Sequence, residues 1–462
     1  MIPRLMCTQH PDATVKVTAN EEVDEALVSF IGYGCDEVMV DYEGKSTPYT
    51  QPKEVVMKAV RAEIKLGERF FVTPRMPNPR LEELERSLLT LEAAVSANYF
   101  SWKYLGAQAV RWVVLPMVSD FETYFLTRRI LERKAKTIRE ELGADVGEIE
   151  LIPLFEDVLA QVKAPELLRE LFRRARENNQ EIKEFRVFLG KSDAAVKYGH
   201  VASSLSMRHV LRELRRLAQE EGVEVYPMLG MGSPPFRGGI NNPNLVSYEV
   251  AQYSGYTTAT IQSAVRYDVS YDVYLKVKDM ILFGCCKGAE AVEIDPQLIN
   301  RFAAAYKAFA TPLLPKALEL AKLVPSTRDR VSWTAYGREI SDGDRVINVP
   351  RAIVYTSMWY AAGLPPIFLD SKGVVEAHRD GTLDRVLKLL PALWREWEYD
   401  AQFYDPETVA KYLGEDVVKA VNEALDVLDI QERASGIYKS LLRAPRTEAN
   451  VIALGKYRRF LG

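Results

Sequence analysis

The sequence predicts a (β/α)8 barrel with an additional C-terminal helical lobe, on three observations. Eight short runs rich in β-branched and aromatic residues recur at intervals of about 32 to 41 residues up to Ile261, the length of a strand, a helix and two loops. The stretches between them, such as ELLRELFRRARENNQEIK and RHVLRELRRLAQEEG, carry charge at helical period. From about Gly284 the beat stops and helical segments take over.

In order, the strand candidates are RLMCT (4–8), DEVMVD (36–41), RFFVT (69–73), VRWVVL (110–115), IELIPL (149–154), FRVFL (185–189), VEVYPM (223–228) and TTATI (257–261). RLMCT is the weakest of the eight. An open doubly wound sheet would give the same alternation, and only closure separates the two. No low-complexity tract or Pro/Gly linker breaks the series. Further on, NRFAAAYKAFATPLLPKALELAKLV and TLDRVLKLLPALWREWEYD read as helices. INVPRAIVYTSMWYAAGLPP is more apolar than a solvent-facing helix and is expected to return to the barrel. Residues 1–283 are thus expected to form the barrel, and 284–462 a mainly helical lobe that packs on it and contributes Arg351.

Composition narrows the function classes. A chain of 462 residues with 47 % hydrophobic and 27 % charged residues is ordinary for a globular protein. A net charge of −4 without a long basic block disfavours nucleic acid as a partner. No apolar signal core begins the chain and no apolar run is long enough to span a bilayer, so no membrane role is expected. The four cysteines (Cys7, Cys35, Cys285 and Cys286) fit neither a disulfide framework nor a spaced zinc motif, which favours a reducing cytosol and a cytoplasmic protein. Sparse Asn, Gln and Cys beside abundant Glu, Lys and Arg point to a thermophilic source.

Barrel chemistry sits in the loops after the strands, so the residues that follow each run carry the functional signal. After the first comes His10, and after the second Glu43 and Lys45. Arg75 follows the third; Met117 and Asp120 follow the fourth. Glu156 and Asp157 follow the fifth, then Lys191, Ser192 and Asp193 the sixth. GMGSPPFRGG with Arg237 follows the seventh, and Gln262 and Arg266 the eighth. Singly, each has a plain structural reading: Glu156 or Asp193 as a helix cap or first-turn acid, Arg75 in a surface turn, the glycines as turn formers. Together on one rim they describe a site. Two carboxylates from neighbouring strands are hard oxygen ligands for Mg2+ or Mn2+, and planar arginine forks match phosphate and carboxylate oxygens.

The motifs TQHPD, DYEGKSTPY, TPRMPNP, PLFED, GKSDAAVKYG, PPFRGG, IQSAVRYD and VPRAIVYTSMWYAAGLPP resemble, in this order, those of phosphoenolpyruvate carboxylase of the short, archaeal type. The resemblance implies Mg2+-dependent, irreversible carboxylation of phosphoenolpyruvate by bicarbonate to oxaloacetate and phosphate, an anaplerotic fixation of CO2. It also implies a homo-oligomer, a tetramer, with Mn2+ as an alternative metal. Residue by residue, it makes His10 the base or positioning group for carboxylation and Glu156 and Asp193 the metal ligands. Arg75, Arg237 and Arg351 would hold the substrate's phosphate, with Gln262 and Arg338 as further pocket residues. Arg237 would be counted with His10 and Lys197 among the catalytic residues.

The chain departs from the longer family forms in two places. Their G-x-S-D-x-x-K places a lysine where this chain has Val196, so either Lys197 or Lys191 takes that role. Their second glycine–arginine motif is replaced by INNPN, so the bicarbonate-side arginine must come from elsewhere, with Arg266 a candidate. The chain ends RRFLG without a Gln-Asn-Thr-Gly tail, and nothing precedes TQHPD that resembles a phosphorylated extension. Aspartate inhibition and N-terminal phosphorylation are therefore not expected. Met117 and the Pro-Pro-Phe turn are expected to help keep water out. The residues leave two alternatives open: a non-catalytic phosphoenolpyruvate-binding or scaffold protein, and another metal-dependent barrel lyase that forms an enolate.

Overall fold

The computed structural model describes residues 1–288, 292–328, 338–342 and 345–462. Eight strands form a closed barrel in sequence order: β1 (Leu5–Cys7), β2 (Glu37–Asp41), β3 (Phe71–Arg75), β4 (Trp112–Leu115), β5 (Glu150–Phe155), β6 (Glu184–Gly190), β7 (Glu224–Gly230) and β8 (Thr258–Ile261). All eight fall on the predicted runs. Cys7 of β1 lies opposite Val38 of β2 on one side and Ile261 of β8 on the other, so the sheet closes and the open alternative is excluded. β3 sits two residues later than predicted. It runs through Pro74 to Arg75, and its pairing with β4 is reduced there to Arg75 opposite Val114, which leaves room for a proline.

The helices between strands are α1 (Glu21–Ile31), α2 (Gln51–Arg61), α3 (Leu84–Leu105), α4 (Phe121–Leu142), α5 (Val158–Glu177), the pair α6 (Ser192–Tyr198) and α7 (His200–Glu221), and α8 (Val246–Gln252). After β8 come α9 (Ser263–Tyr267) and α10 (Tyr271–Gly284). Their apolar faces and the outward side of the strands share one core. The Asp157 side chain caps α5 by accepting from Leu159 N, so the neighbouring Glu156 is not spent on a helix end.

Past the barrel the chain is mostly helical, beginning with α11 (Pro296–Ala310) and α12 (Leu314–Ala321). A hairpin, β9 (Glu339–Asp342) with β10 (Arg345–Asn348), interrupts the helices before α13 (Ala352–Ala361). Sequence reading missed this hairpin because four-residue strands are too short to show a period. The helices after α10 build a second core around Trp359 and Trp397 that takes in Val196, Val201 and Leu205 from α6 and α7. Buried polar contacts tie the two together. His200 Nε2 lies 2.8 Å from Glu396 Oε2. Asp370 accepts from the backbone N–H groups of His200 and Val201, capping α7 from across the interface.

Cys7 and Cys35 form a disulfide, with Cα atoms 5.9 Å apart. This corrects the expectation of no disulfide: the loop into β2 returns beside β1, so two cysteines distant in sequence meet. The cysteine argument for a reducing compartment falls with it.

Successive strand residues point alternately inward and outward. On β2 the inward set is Glu37, Met39 and Asp41; on β3 it is Phe71, Thr73 and Arg75. The barrel interior is filled by Met6, Met39, Phe71, Trp112, Val114, Ile152, Leu154, Phe188 and Met228. Toward the strand N-termini a buried ion pair crosses the barrel, with Arg186 of β6 donating to both carboxylate oxygens of Glu37 on β2 at 2.9 and 2.8 Å. Thr73 and Thr258 complete the cluster, and Trp112 lies against the guanidinium. Removing one partner strands a buried charge. Arg186→Met should therefore cost about 3–5 kcal/mol, and adding Glu37→Met should recover most of the loss. Equilibrium denaturation of the single and double variants checks this; a double variant as unstable as the single would show that the pair is not the cause.

Candidate active site

At the C-terminal mouth of the barrel lies a cavity of about 160 Å3. Among the described residues, four acids line it (Asp41, Glu43, Glu156 and Asp193) and five cations (Lys45, Arg75, Arg237, Arg338 and Arg351). The strand alternation delivers the first of these. Asp41, Arg75 and Glu156 continue the inward faces of β2, β3 and β5, above a floor of Met39, Leu154 and Phe188. Gly190 makes space for Glu156, whose Cγ would lie 2.9 Å from a Cβ at that position.

Asp41 and Glu43 organise the cations. Arg75 donates through Nε and Nη2 to the two oxygens of Asp41, both at 2.8 Å. Lys45 Nζ lies 2.7 Å from Asp41 Oδ2. Glu43 meets Arg75 Nη2 at 3.0 Å, Arg338 Nη2 at 3.3 Å and Arg351 Nη2 at 3.7 Å. Burial alone would favour the protonated acids. For Asp41, Arg75 and Lys45 outweigh it and hold the carboxyl well below its usual range. For Glu43, the arginines 351, 75 and 338 outweigh it and hold the carboxyl at about 2. Both are fixed counter-ions.

Glu156 is the opposite case. Burial, and then Asp193, push its pKa up to about 8. Arg75 Nη1 stands 3.6 Å from Oε1, and the buried Oε2 has no hydrogen-bond partner among the described residues. Asp193 opens α6 and meets Arg338 Nη2 at 3.3 Å. Two adjoining acids, one with an orphaned oxygen, fit a divalent cation completed by water and substrate oxygens. No group of three or more His, Cys, Asp or Glu that could hold a metal occurs among the described residues.

Arg237 ends the tight turn PFR, and its N–H groups reach Ser192 Oγ (3.0 Å), Gln262 Oε1 (3.1 Å) and Gly462 O (2.6 Å). Burial lowers its pKa to about 10. The turn needs glycine at position 238, where φ is 100° and a Cβ would strike Met231.

Of the residues singled out in the sequence, Glu156, Asp193, Arg75, Arg237, Gln262, Arg338 and Arg351 thus meet around one cavity. His10 does not face it. Its neighbours Gln9 and Pro11 line the wall, while its ring turns behind them, with Nε2 2.8 Å from Val15 O, Nδ1 3.6 Å from Glu25 Oε1 and its edge against Tyr267. Lys197 reaches out to Asp157 at 3.4 Å. Lys191 points under α7, donating to Ser203 Oγ at 2.8 Å. Arg266 pins α1 to β1 through Glu25, Ser29 and Thr8 O, and neither it nor Met117 lines the cavity.

Three further residues carry weight that sequence reading did not give them. Asp41 is the last residue of a run that reads as core, and Lys45 carries no assigned role in the sequence. Arg328 is buried in the rim, where it pairs with Glu22, donates to Thr47 Oγ1 at 2.7 Å and offers its backbone N–H to Asp12 at 3.0 Å. It thereby fastens the loop that carries His10 and Pro11.

The chain matches the family described as phosphoenolpyruvate carboxylase over residues 2–462. It is 58 % identical over 464 residues to a phosphoenolpyruvate carboxylase of Pyrobaculum islandicum, with 100 % of both chains covered. It is 51 % identical to one of Thermofilum pendens, covering 100 % of this chain and 99 % of that one. Among solved structures, a Haloferax volcanii malate synthase magnesium/glyoxylate complex aligns at 12 % identity over 91 % of this chain and 97 % of that chain, with a TM-score of 0.43.

The electrostatics separate the two kinds of acid. Asp41→Asn leaves buried Arg75 and Lys45 short of a counter-ion and should cost about 3–5 kcal/mol. Glu156→Gln removes an acid whose charged form is disfavoured by burial and then by Asp193, and should leave stability unchanged or higher. Denaturation in metal-free buffer tells them apart; equal losses would mean that Asp41 does not organise the cluster.

Proposed function

The chain belongs to the phosphoenolpyruvate carboxylase family and is a carboxy-lyase acting on phosphoenolpyruvate, and from that premise we propose that the cavity at the barrel mouth is where the reaction occurs. The observation that carries this is Glu156, a buried acid with an orphaned oxygen set against Asp193 and facing the arginines. Phosphoenolpyruvate brings a phosphate, a carboxylate and an enol oxygen, and the cavity offers a counterpart for each.

Arg75, Arg338 and Arg351 are held on Glu43 and hold the phosphoryl group in turn, with Arg237 completing the grip from the far wall. Because the forks are already paired with fixed acids, little rearrangement is needed as charge shifts in the transition state. Gln262 keeps Arg237 oriented. Glu156 and Asp193 would hold Mg2+, with Mn2+ as the alternative, and the metal would neutralise charge developing on the enol oxygen.

A bicarbonate oxygen attacks phosphorus, and the bond from phosphorus to the enol oxygen breaks, giving carboxyphosphate and the enolate of pyruvate. Carboxyphosphate loses its proton to a base and separates into phosphate and CO2. The enolate carbon then attacks CO2 and gives oxaloacetate. The enolate must not meet water first. Met39, Leu154 and Phe188 below, with Ala352 and Ile353 at the start of α13, supply apolar walls for that purpose.

His10 is the proposed proton acceptor. Its support is the position of its loop on the cavity wall; the ring must swing away from Val15 and Glu25 to reach the substrate. An imidazole is suited to exchange a proton near neutrality. A cytoplasmic homotetramer belongs to the same reading, and sedimentation of the protein in solution tests the assembly. No single helix among the described residues is long and apolar enough to cross a membrane.

Oxaloacetate formed from phosphoenolpyruvate, bicarbonate and Mg2+ in a coupled assay tests the activity directly. Arg75→Lys should lower kcat/KM at least tenfold, since an ammonium cannot keep the two-pronged contact with Asp41 and also offer the donor that Nη1 presents to the cavity, and a lost charged hydrogen bond costs about 1.5–3 kcal/mol. Wild-type efficiency in that variant would remove Arg75 from the phosphate site.

His10→Asn should leave attack on phosphorus largely intact while carboxylation fails. Oxaloacetate should drop by about 10²–10⁴-fold, with phosphate and pyruvate released in a bicarbonate-dependent way. An oxaloacetate-to-phosphate ratio equal to wild type would take His10 out of the proton step.

A further inference from the structure

Bicarbonate, the second substrate, still lacks a partner. It is a small planar anion and needs a cation with free donors on the side of phosphorus opposite the departing enol oxygen. The enol oxygen belongs near Glu156 and Asp193, so the bicarbonate side is found by crossing the phosphate site from there. Arg75 marks that crossing. Its Nη1 faces Glu156, while its other edge, Nε and Nη2, is closed on Asp41. Beyond Asp41 stands Lys45.

We propose that Lys45 is the residue that holds bicarbonate for attack on phosphorus. The inference rests on the reading of this cavity as the carboxylation site. Lys45 is the one lysine that lines the cavity among the described residues. Lys191 and Lys197, the two lysines of the GKSDAAVK stretch, are directed to Ser203 and Asp157. The Lys45 ammonium is buried, and its Nζ meets Asp41 Oδ2 at 2.7 Å and no other acceptor among the described residues. An ammonium has three N–H donors, so two remain for an anion's oxygens. Arg75 cannot do the same on that side, because its edge there is already filled.

The position also suits the step that follows. Thr8, Gln9 and Pro11 line the cavity together with Lys45, and Thr47, two residues on, donates to Asp41 O at 2.6 Å and lies 3.4 Å from Gln9 Oε1. The loop that carries Lys45 is thus tied to the loop that carries His10. Bicarbonate bound on Lys45 becomes the carboxyl half of carboxyphosphate beside the proposed proton acceptor. The charge balance agrees over the whole cluster: Asp41 and Glu43 carry two negative charges against four positive ones on Lys45, Arg75, Arg338 and Arg351, which leaves a net positive charge for an incoming anion.

Steady-state kinetics of wild type, Lys45→Gln and Lys45→Arg, with each substrate varied in turn, test this. In Lys45→Gln the KM for bicarbonate should rise about 10- to 100-fold, while the KM for phosphoenolpyruvate should move less than about threefold. Calorimetric binding of phosphoenolpyruvate with Mg2+ in bicarbonate-free buffer should stay within the same range, which shows the pocket intact. Lys45→Arg, which keeps the charge and the contact with Asp41, should recover part of the bicarbonate affinity. An unchanged bicarbonate KM in Lys45→Gln overturns the assignment. So does a parallel rise in the phosphoenolpyruvate constants, which would place Lys45 on that substrate. Should Lys45→Gln not fold, Lys45→Arg is read on the same two constants: a selective bicarbonate effect supports the assignment and an unchanged constant overturns it. Wild-type protein that forms no oxaloacetate would overturn the carboxylation reading itself, whereas an active wild type with an indifferent Lys45 would overturn only this inference.

Discussion

Four of the five cations at the barrel mouth depend on two acids near the end of one strand. Asp41 and Glu43 of the β2 end between them hold Lys45, Arg75, Arg338 and Arg351. Four cations gathered without them would repel one another and lose their hydration, a cost that a small buried cavity could not absorb. With the acids present, each fork is oriented before any ligand arrives, and the cluster keeps an excess of positive charge. That excess faces Glu156 and Asp193, where the situation is reversed and charge of the other sign is wanting. The cavity is therefore polar in the literal sense, with a cationic side and an acidic side.

The barrel makes such an arrangement economical in chain length. Alternation along a strand sets one residue in two on the inward face. Up β2 the inward positions read Glu37, Met39, Asp41: a buried ion pair with Arg186, an apolar layer, then the site. The apolar layer separates two charged clusters, so the Glu37–Arg186 pair stabilises the barrel without competing for the ions above. Closure between β1 and β8 brings Thr8 and Thr260 to the same cavity as Asp41.

This alternation also explains what could be read from the sequence. The strand runs and their spacing were legible because a period of two inside a longer beat is strong and local. Seven residues that line the cavity were legible because they carry charge or amide groups just past strand ends or within a family motif. Asp41 and Lys45 were harder. Asp41 ends a run that reads as core, and only the inward parity of β2 distinguishes it from an outward residue. The same parity disfavours Lys191, which follows the inward Gly190 and so faces α7. His10 lies past the end of β1, where parity no longer governs direction, and its ring turned behind the wall. The Cys7–Cys35 bond and the salt bridges of Arg328 join segments far apart in sequence and have no local signature at all.

The lobe is part of the cavity for the same electrostatic reason. Arg338 and Arg351 come from outside the barrel, yet their acid partner Glu43 comes from within it. Without the lobe, Glu43 would keep Arg75 but lose two of the charges that hold its carboxyl at about 2, and burial would press it toward the neutral form. Arg75 would then be left with Asp41 alone. The contacts that seat the lobe on α7, His200 with Glu396 and Asp370 on the helix start, are buried and specific in geometry. On α13 itself, Tyr355 meets Tyr306, whose hydroxyl donates to Val196 O of α6, so the helix that follows Arg351 is also seated on the barrel. A loosened lobe would first be felt as a misplaced arginine and a reprotonated Glu43, before any part of the barrel unfolded.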